Sequence, residues 1–544
     1  MGKKGYSTRY YIWLNIIQFA LEFGMMTTAG NTLFHMYDML SDIHENHSIV
    51  YIGHLLVASI FQFICGVLSD NCKSKEGRRR PFMKLGCFIF IVGQFISFFI
   101  ILSTGIKRSL ENNEKYVKGN DIPMIQKVSF AIYVVGSYIA VIGIGIMRIA
   151  YRSYILDEFD SELQNKIFTM ASIVTGCSRI FCYLLIGLVS IILSLKSSNS
   201  SSSSSENENE FYTETLLLFD AAMQFISMIL MFICSWVFCH FAKEVAMDIS
   251  DFSNESKEEK YENVGLLEND EDISAPVNDS QKPLNSKTSK KSSKKSSCSM
   301  FTGISFGKLF KTIFRTLFQS NHQLNSIFIG TMIGYVSRAV LHNRGAHITF
   351  DYYFSSSEKI EESVAHSVFH FFDSIIMVIF SFFLYHCVNK RMYVSFGWTY
   401  LVGILLMPLF YCMNKVSLND TTNDLIFLIL SVVPMNVGEI LFAHLNCLPF
   451  CVLRNTVKDN HFGVSVAFVF LGSAFGQFIG DLSIWSTSQS NENDLNGNMN
   501  YIPVMMLIWF VGMCTSKLFS FSKTILSSNH MDMNIFDDQI DELD

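Results

Sequence analysis

Residues 66–82 read Gly66-Val-Leu-Ser-Asp70-Asn-Cys-Lys-Ser-Lys-Glu-Gly77-Arg78-Arg79-Arg80-Pro81-Phe82. One apolar run ends at Leu68 and another begins at Phe82, with acids, a cluster of cations and a glycine between them. A chain apolar on both sides and charged in the middle forms a tight loop between two membrane helices. Lys and Arg collect at the cytoplasmic ends of spans, so this loop also sets the orientation of the chain.

Working outward, apolar runs close to the ~20 residues needed to cross a bilayer lie at 11–34, 48–69, 82–104, 130–152, 167–195 and 214–241. They resume at 324–342, 364–388, 394–413, 425–453, 462–485 and 501–522. The run at 324–342 is the least regular, because it carries Arg338 and His342. With the 66–82 loop inside, both termini, the segment 242–323, the Lys390-Arg391 loop and the Arg454–Lys458 loop fall inside as well. The 105–129 loop falls outside despite Lys107, Arg108, Lys115, Lys118 and Lys127. The expected fold is therefore an all-α membrane protein of twelve transmembrane helices in two six-helix halves, residues 1–241 and 324–526, with cytoplasmic termini. The lipid bilayer is its solvent.

Composition agrees. The 544 residues are 50% hydrophobic, 14% aromatic and 16% charged, with a mean hydropathy of +0.30, outside the range of soluble globular domains. The net charge of −7 resides in a few loops and tails and gives no support for nucleic-acid binding. The thirteen cysteines are scattered, many within apolar runs, with no C-x-x-C pair; they read as small apolar residues, with no disulfide framework and no metal site expected. The short basic stretch Met1–Arg9 precedes a long apolar run without an A-x-A-like cleavage site, as for a first span rather than a cleaved signal.

The segment 242–323 is acidic from Glu244 to Asp272 and Lys/Ser-rich from Lys282 to Lys295. Neither part can bury a core, so disorder is expected. Within 304–318, Phe306, Leu309, Phe310, Ile313, Phe314, Leu317 and Phe318 recur at helical spacing, with Lys308, Lys311 and Arg315 on the other face. That pattern suits an amphipathic helix on the inner membrane surface, and equally an extension leading into the next span. Residues 527–544 form an acidic cytoplasmic tail.

Ionisable groups at membrane depth cost on the order of 2.5–3.5 kcal/mol each, so they face polar cavities or one another. The candidates for a substrate or proton path are Glu22, Arg148, Arg179, Arg338, Asp373, Glu439 and His444. Glu22 is either a hydrogen-bond acceptor and proton carrier or a structural partner for an arginine. Arg179 must meet an anion, from the protein or from a solute. His370 and Asp373 are three apart on one helix face, suited to sharing a proton or to forming a satisfied core pair; with His366 they do not specify a metal site by spacing. No nucleophile or phosphate-binding motif stands out, and an enzyme is not expected.

Gly66-x-x-x-Asp70 followed by Gly77-Arg78-Arg79 resembles the signature of the major facilitator superfamily. The longer form S-D-x6-G-R-R-R-P-F resembles a narrower branch, the glycoside-pentoside-hexuronide and sucrose–proton symporters of plants and their animal relatives. Glu22-Phe23, Arg152-Ser-Tyr-Ile-Leu-Asp157 and the stretch 434–480 are similar to the same branch. The resemblance implies a cytoplasmic gate of Asp70, Gly77, Arg78, Arg79, Arg80, Arg152 and Asp157, in which Asp70 holds the arginines. It also implies alternating access, a disaccharide or other glycoside as cargo, H+ as coupling ion and no further cofactor.

Departures matter as much. The branch carries a membrane acid eleven residues before the arginine that matches Arg152, and Val141 stands there. No proline occurs before Pro81, and the branch's acid in the seventh span has no counterpart in Gly-Tyr-Val-Ser-Arg338-Ala-Val-Leu. Coupling then passes through Glu22, Asp373 or Glu439, or the protein is a facilitator. The expected function is secondary sugar transport by H+ symport, in a monomer of the plasma membrane. The alternatives are a facilitator of an anionic or amino-acid solute and a non-transporting membrane sensor.

Overall fold

The computed structural model describes residues 8–30, 47–72, 74, 76–110, 124–199, 205–242, 322–339, 342, 359–386, 421–456 and 462–488. Among them the elements are helical: α1 (Thr8–Met25, continued by a π-turn Met26–Gly30), α2 (His47–Asp70), α3 (Arg80–Leu110), α4 (Met124–Glu158), α5 (Ser161–Asn199) and α6 (Ser205–Phe241), then α7 (His322–Ala339), α8 (Lys359–His386), α9 (Thr421–Thr456) and α10 (Phe462–Ser488). These ten coincide with expected spans. The runs at 394–413 and 501–522, the amphipathic stretch 304–318, the segment 243–321 and the acidic tail lie outside the described residues.

Eight of the helices are long and apolar enough to cross a membrane. Their exposed faces are apolar: Phe88, Phe99, Ile192, Phe232, Trp236 and Ile379 are all more than half exposed. Their interior is studded with buried polar groups, among them Asn15, Gln94, Gln164 and Gln224. In water this arrangement would be inside out; in lipid, hiding an apolar side chain gains little, and the polar groups turn inward. The chain is an integral, multi-pass membrane protein.

Within the first six helices α3 packs on α4 and α6, α1 on α5 and α6, and α2 on α4. In the later part α7 packs on α9 and α10, and α8 on α9. The two sets meet where α5 lies against α8 and α9 and where α10 lies against α2 and α4. Close approach follows from small residues: a Cβ on Gly476 would stand 2.2 Å from the Met332 carbonyl oxygen, so α10 seats against α7 only with glycine there. The π-turn at the end of α1 is held by hydroxyls, with Thr28 donating to the Gly24 carbonyl at 2.6 Å and Thr27 to the Phe23 carbonyl at 3.1 Å. Local widening of a helix of this kind is common at functional sites.

Candidate functional site

Five helices each bring one charged residue to the interior. Glu22 of α1 accepts from Arg179 Nε of α5 at 2.7 Å and from Arg148 Nη2 of α4 at 3.3 Å. Arg179 also reaches across to the later helices, its Nη1 donating to Glu439 Oε2 of α9 at 2.9 Å. Arg338 Nη2 of α7 donates to the other oxygen of Glu439 at 3.1 Å. The result is a chain of alternating sign, Arg148–Glu22–Arg179–Glu439–Arg338. It extends further as Arg338 Nη1 meets Gln477 Oε1 at 3.4 Å and the Gln477 amide donates to Asp481 of α10 at 3.0 Å.

Phe442 lies one turn from Glu439, and the guanidiniums of Arg179 and Arg338 sit 4.4 and 4.2 Å from its ring centroid. The ring face attracts both cations and fixes the planes in which they present their donors. Ser178, the neighbour of Arg179, donates to the Phe19 carbonyl at 2.8 Å and pins α5 to α1 at this level. Arg179 thus does meet an anion, and the anions are protein carboxylates. Ion pairs at this depth are held by geometry, and losing one partner costs on the order of 3–5 kcal/mol because the other is left buried and alone.

A second cluster closes the end where α2 gives way to the 66–82 loop. Arg79 is 1% exposed and bridges two acids: its Nη2 lies 2.7 Å from Asp70 Oδ1 and its Nε 2.7 Å from Asp157 Oδ2. Arg78 Nη2 reaches the other oxygen of Asp157 at 3.1 Å. Burial by itself pulls the Arg79 guanidinium down, and the two carboxylates more than reverse that, so its pKa is raised and the charge is fixed. Asp70 is shared. Its two oxygens accept the backbone N–H groups of Gly463 and Val464, both at 2.9 Å, at the start of α10. A carboxylate on the free N–H groups of a helix N-terminus is favoured by the helix dipole as well as by the hydrogen bonds.

The two glycines have separate reasons. Gly77 has φ of 99°, a left-handed conformation that a side chain would strain. Gly463 is a matter of space: a Cβ there would stand 2.6 Å from both Asp70 Oδ1 and the Gly66 carbonyl oxygen. Gly463→Ala is expected to push α10 off α2 at a cost of about 1–3 kcal/mol, the range for overpacking. The check is a lowered thermal unfolding midpoint together with increased cysteine-reagent access to Cys72, which is 7% exposed and in no disulfide.

One expected partnership differs. Arg152 is not placed on Asp70; its Nη1 donates to the Asn446 carbonyl of α9 at 2.8 Å, and its guanidinium lies 4.4 Å from the Phe450 ring and 5.1 Å from Phe168. The cause is its register. Asp157 sits in the last turn of α4, beside the loop, whereas Arg152 lies more than a turn earlier and faces α9. It still ties the two sets of helices together, through a carbonyl and aromatic faces. Arg80 opens α3.

His444 is likewise placed apart from the arginine–glutamate chain: its Nδ1 donates to the Ile440 carbonyl at 2.9 Å and its ring packs 5.0 Å from Phe380. Asp373 lies with His370 and His342 beside Glu439, with His370 Nδ1 at 3.6 Å and His342 Nδ1 at 3.8 Å from its Oδ2. Sequence reasoning passed over His342, Phe442, Gly463 and Gln477. The signal for His342 was present, since it interrupts an apolar run. Nothing in the sequence singled out Phe442 among fifty phenylalanines. Val141 is buried at 3%, packed with Ala58 and Met25 in an apolar patch.

Residues 48–274 match the family model described as PUCC protein. A General alpha-glucoside permease of Schizosaccharomyces pombe is 28% identical over 138 residues, which are 25% of this chain and 23% of the permease. The match thus spans about a quarter of either protein.

Among solved structures, the major facilitator superfamily transporter FucP in the outward conformation superposes with a TM-score of 0.53 at 9% identity, covering 95% of this chain and 99% of that one. A bacterial homologue of the iron transporter ferroportin in an outward-facing state gives 0.53 at 10% identity, with the same coverage. A double-tryptophan XylE variant gives 0.51 at 14%, covering 95% and 100%. The likeness at these identities is one of fold, and the proteins named are a permease and transporters rather than enzymes. The chain thus shares the fold of these transporters, with the charge chain and the Asp70–Arg79–Asp157 cluster both lying where its two sets of helices meet.

Proposed function

We propose that this protein carries a neutral glycoside of the sucrose class across the plasma membrane by alternating access, with H+ as the coupled ion and Glu22 as its carrier. The observation behind this reading is that Arg179 holds Glu22 at 2.7 Å and Glu439 at 2.9 Å at once. The guanidiniums of Arg179 and Arg338 are each neutralised by protein carboxylates, which leaves carboxylate lone pairs for sugar hydroxyls and leaves little call for an anionic cargo. The stretch shared with an alpha-glucoside permease agrees with that class of solute. In this orientation the Asp70–Arg79–Asp157 latch is cytoplasmic, and its closure keeps the path open outward.

A proton taken up by Glu22 removes the charge from its bonds to Arg148 and Arg179. Arg179 is then held by Glu439 alone, and the sets of helices shift their balance. With Val141 where the resembled branch has an acid, Glu22 is the carboxylate in the first six helices that answers to two guanidiniums and reaches a residue of the later set through one of them. A proton moving down the membrane potential supplies about 2.3 kcal/mol per 100 mV.

The test is labelled sucrose in proteoliposomes with an imposed inward proton gradient. Glu22→Gln is expected to keep exchange of internal for external sucrose while accumulation falls to equilibrium. Gradient-driven accumulation that persists in Glu22→Gln would refute Glu22 as carrier. A second reading, facilitated passage of an anionic or amino-acid solute, is favoured by Arg148, whose side chain is 25% exposed with one carboxylate contact at 3.3 Å. Uptake of such a solute without sucrose uptake, insensitive to a protonophore, would select it. Absence of flux for every solute in the panel would leave the membrane-sensor reading.

A further inference from the structure

His342, His370 and Asp373 form a cluster that the charge chain does not use. Their nearest ligand-type atoms all lie within 4.8 Å of one another, and all the side chains are buried. His370 and Asp373 stand one turn apart on α8, and His342 lies three residues beyond the end of α7. The spacing is unusual for a hydrogen-bonded core. Asp373 Oδ2 lies 3.6 Å from His370 Nδ1 and 3.8 Å from His342 Nδ1, too far for hydrogen bonds. His342 Nδ1 and Asp373 Oδ2 are both enclosed without a hydrogen-bond partner, and the residues are 7% and 4% exposed. Buried polar atoms left so cost about 1–3 kcal/mol each.

We infer that His342, His370 and Asp373 bind one divalent transition-metal ion of the Zn2+ class. A tetrahedral ion with N and O ligands at about 2.0–2.2 Å sets those ligands roughly 3.3 Å apart. The separations of 3.6 and 3.8 Å are therefore closer to those of co-ligands than to those of hydrogen-bonded partners. Gathering ligand atoms that lie up to 4.8 Å apart to that spacing asks for a closure of at most about 1.5 Å, within the reach of side-chain rotation. Two imidazoles and one carboxylate are a set suited to Zn2+, and three protein ligands leave a fourth position for water.

The surroundings brace the ligands. The Tyr183 ring of α5 stacks on His370 at 5.0 Å, and the Glu439 carboxylate lies 3.4 Å from His342 Nδ1. The stack fixes the plane of the His370 ring, whereas Glu439 lies on the same His342 nitrogen that would hold the ion. Glu439 itself is already taken by Arg179 and Arg338. A cation beside it competes with those arginines, so bound Zn2+ acts on the same carboxylate that joins the helices.

Zn2+ binding to the purified full-length protein in lipid nanodiscs, measured by competition with a chromophoric chelator, tests the site. One equivalent is expected, with the affinity lowered at least 100-fold in His370→Ala and in Asp373→Asn. His342→Gln, which preserves volume and polarity, guards against a loss caused by misfolding; it is expected to weaken binding while leaving the metal-free unfolding midpoint near that of the parent. His240→Gln, at a histidine stacked on Trp236 far along α6, is expected to bind as the parent does. The inference is overturned if the parent binds no Zn2+, or if a well-folded His342→Gln or Asp373→Asn variant keeps the stoichiometry and affinity of the parent, which would place the ion on surface groups.

Discussion

Arg79→Ala is expected to destabilise the protein by about 3–5 kcal/mol, among the largest effects of any single substitution at a described residue. The magnitude follows from what is left behind. Arg79 is 1% exposed and neutralises Asp70 and Asp157, whose side chains are 3% and 9% exposed. Without it, two like charges remain in one buried site. Asp70 still holds the Gly463 and Val464 N–H groups, but Asp157 keeps only Arg78 at 3.1 Å.

Arg79→Lys is expected to recover less than half of the loss, since a point charge cannot reach two carboxylates as the planar fork does. The readouts are the unfolding midpoint in nanodiscs and the accessibility of Cys72 to a membrane-impermeant thiol reagent. An Arg79→Ala protein with an unchanged midpoint and unchanged accessibility would show that the latch contributes no cohesion.

Glu439→Gln is expected to reduce solute flux by more than 100-fold, equivalent to about 2.7 kcal/mol at 1.36 kcal/mol per decade. Glu439 is 1% exposed on its side chain and gives one oxygen to Arg179 and the other to Arg338. Both guanidiniums also crowd one face-bearing ring, Phe442, at 4.4 and 4.2 Å. The carboxylate is what lets two cations share that space. An amide carries one acceptor oxygen and no charge, so one arginine must move.

Glu439→Asp shortens the side chain and is expected to fall between the two. A double-mutant cycle of Glu439→Gln with Arg179→Gln separates the pair from its surroundings: coupling of about 1.5 kcal/mol or more in unfolding or flux marks a direct functional bridge, and additivity would discard it.

These two clusters differ in how far they could be read in advance. The latch was legible because its residues are close in sequence and carry their own punctuation: an acid ending one apolar run, a glycine, three arginines and a proline opening the next. Asp157 was legible only through the resemblance of Arg152-Ser-Tyr-Ile-Leu-Asp157 to the sucrose–proton symporter branch. What could not be read was the far partner. Gly463 and Val464 lie in the eleventh expected span, and no local pattern says that their N–H groups end on Asp70. The same resemblance puts Arg152 in this cluster, and its helical register turns it toward Asn446 instead.

The sequence by itself determined the class of the molecule, the place of most of its membrane helices and the short roster of charges that lipid would not tolerate alone. Those follow from one-dimensional costs: about 20 apolar residues to cross a bilayer and several kcal/mol for each unpaired charge within it. Only the tertiary structure decided who pairs with whom. Glu22, Arg148, Arg179, Arg338 and Glu439 come from five helices, and their order along the charge chain depends on the rotation and depth of each helix. Those are set by packing such as Gly476 against Met332 and Gly463 against Gly66. The same is true of His342, whose partners on α8 lie within reach only because α7 and α8 flank α9. A charge in a membrane announces that it has a partner, and the identity of that partner is a property of the fold.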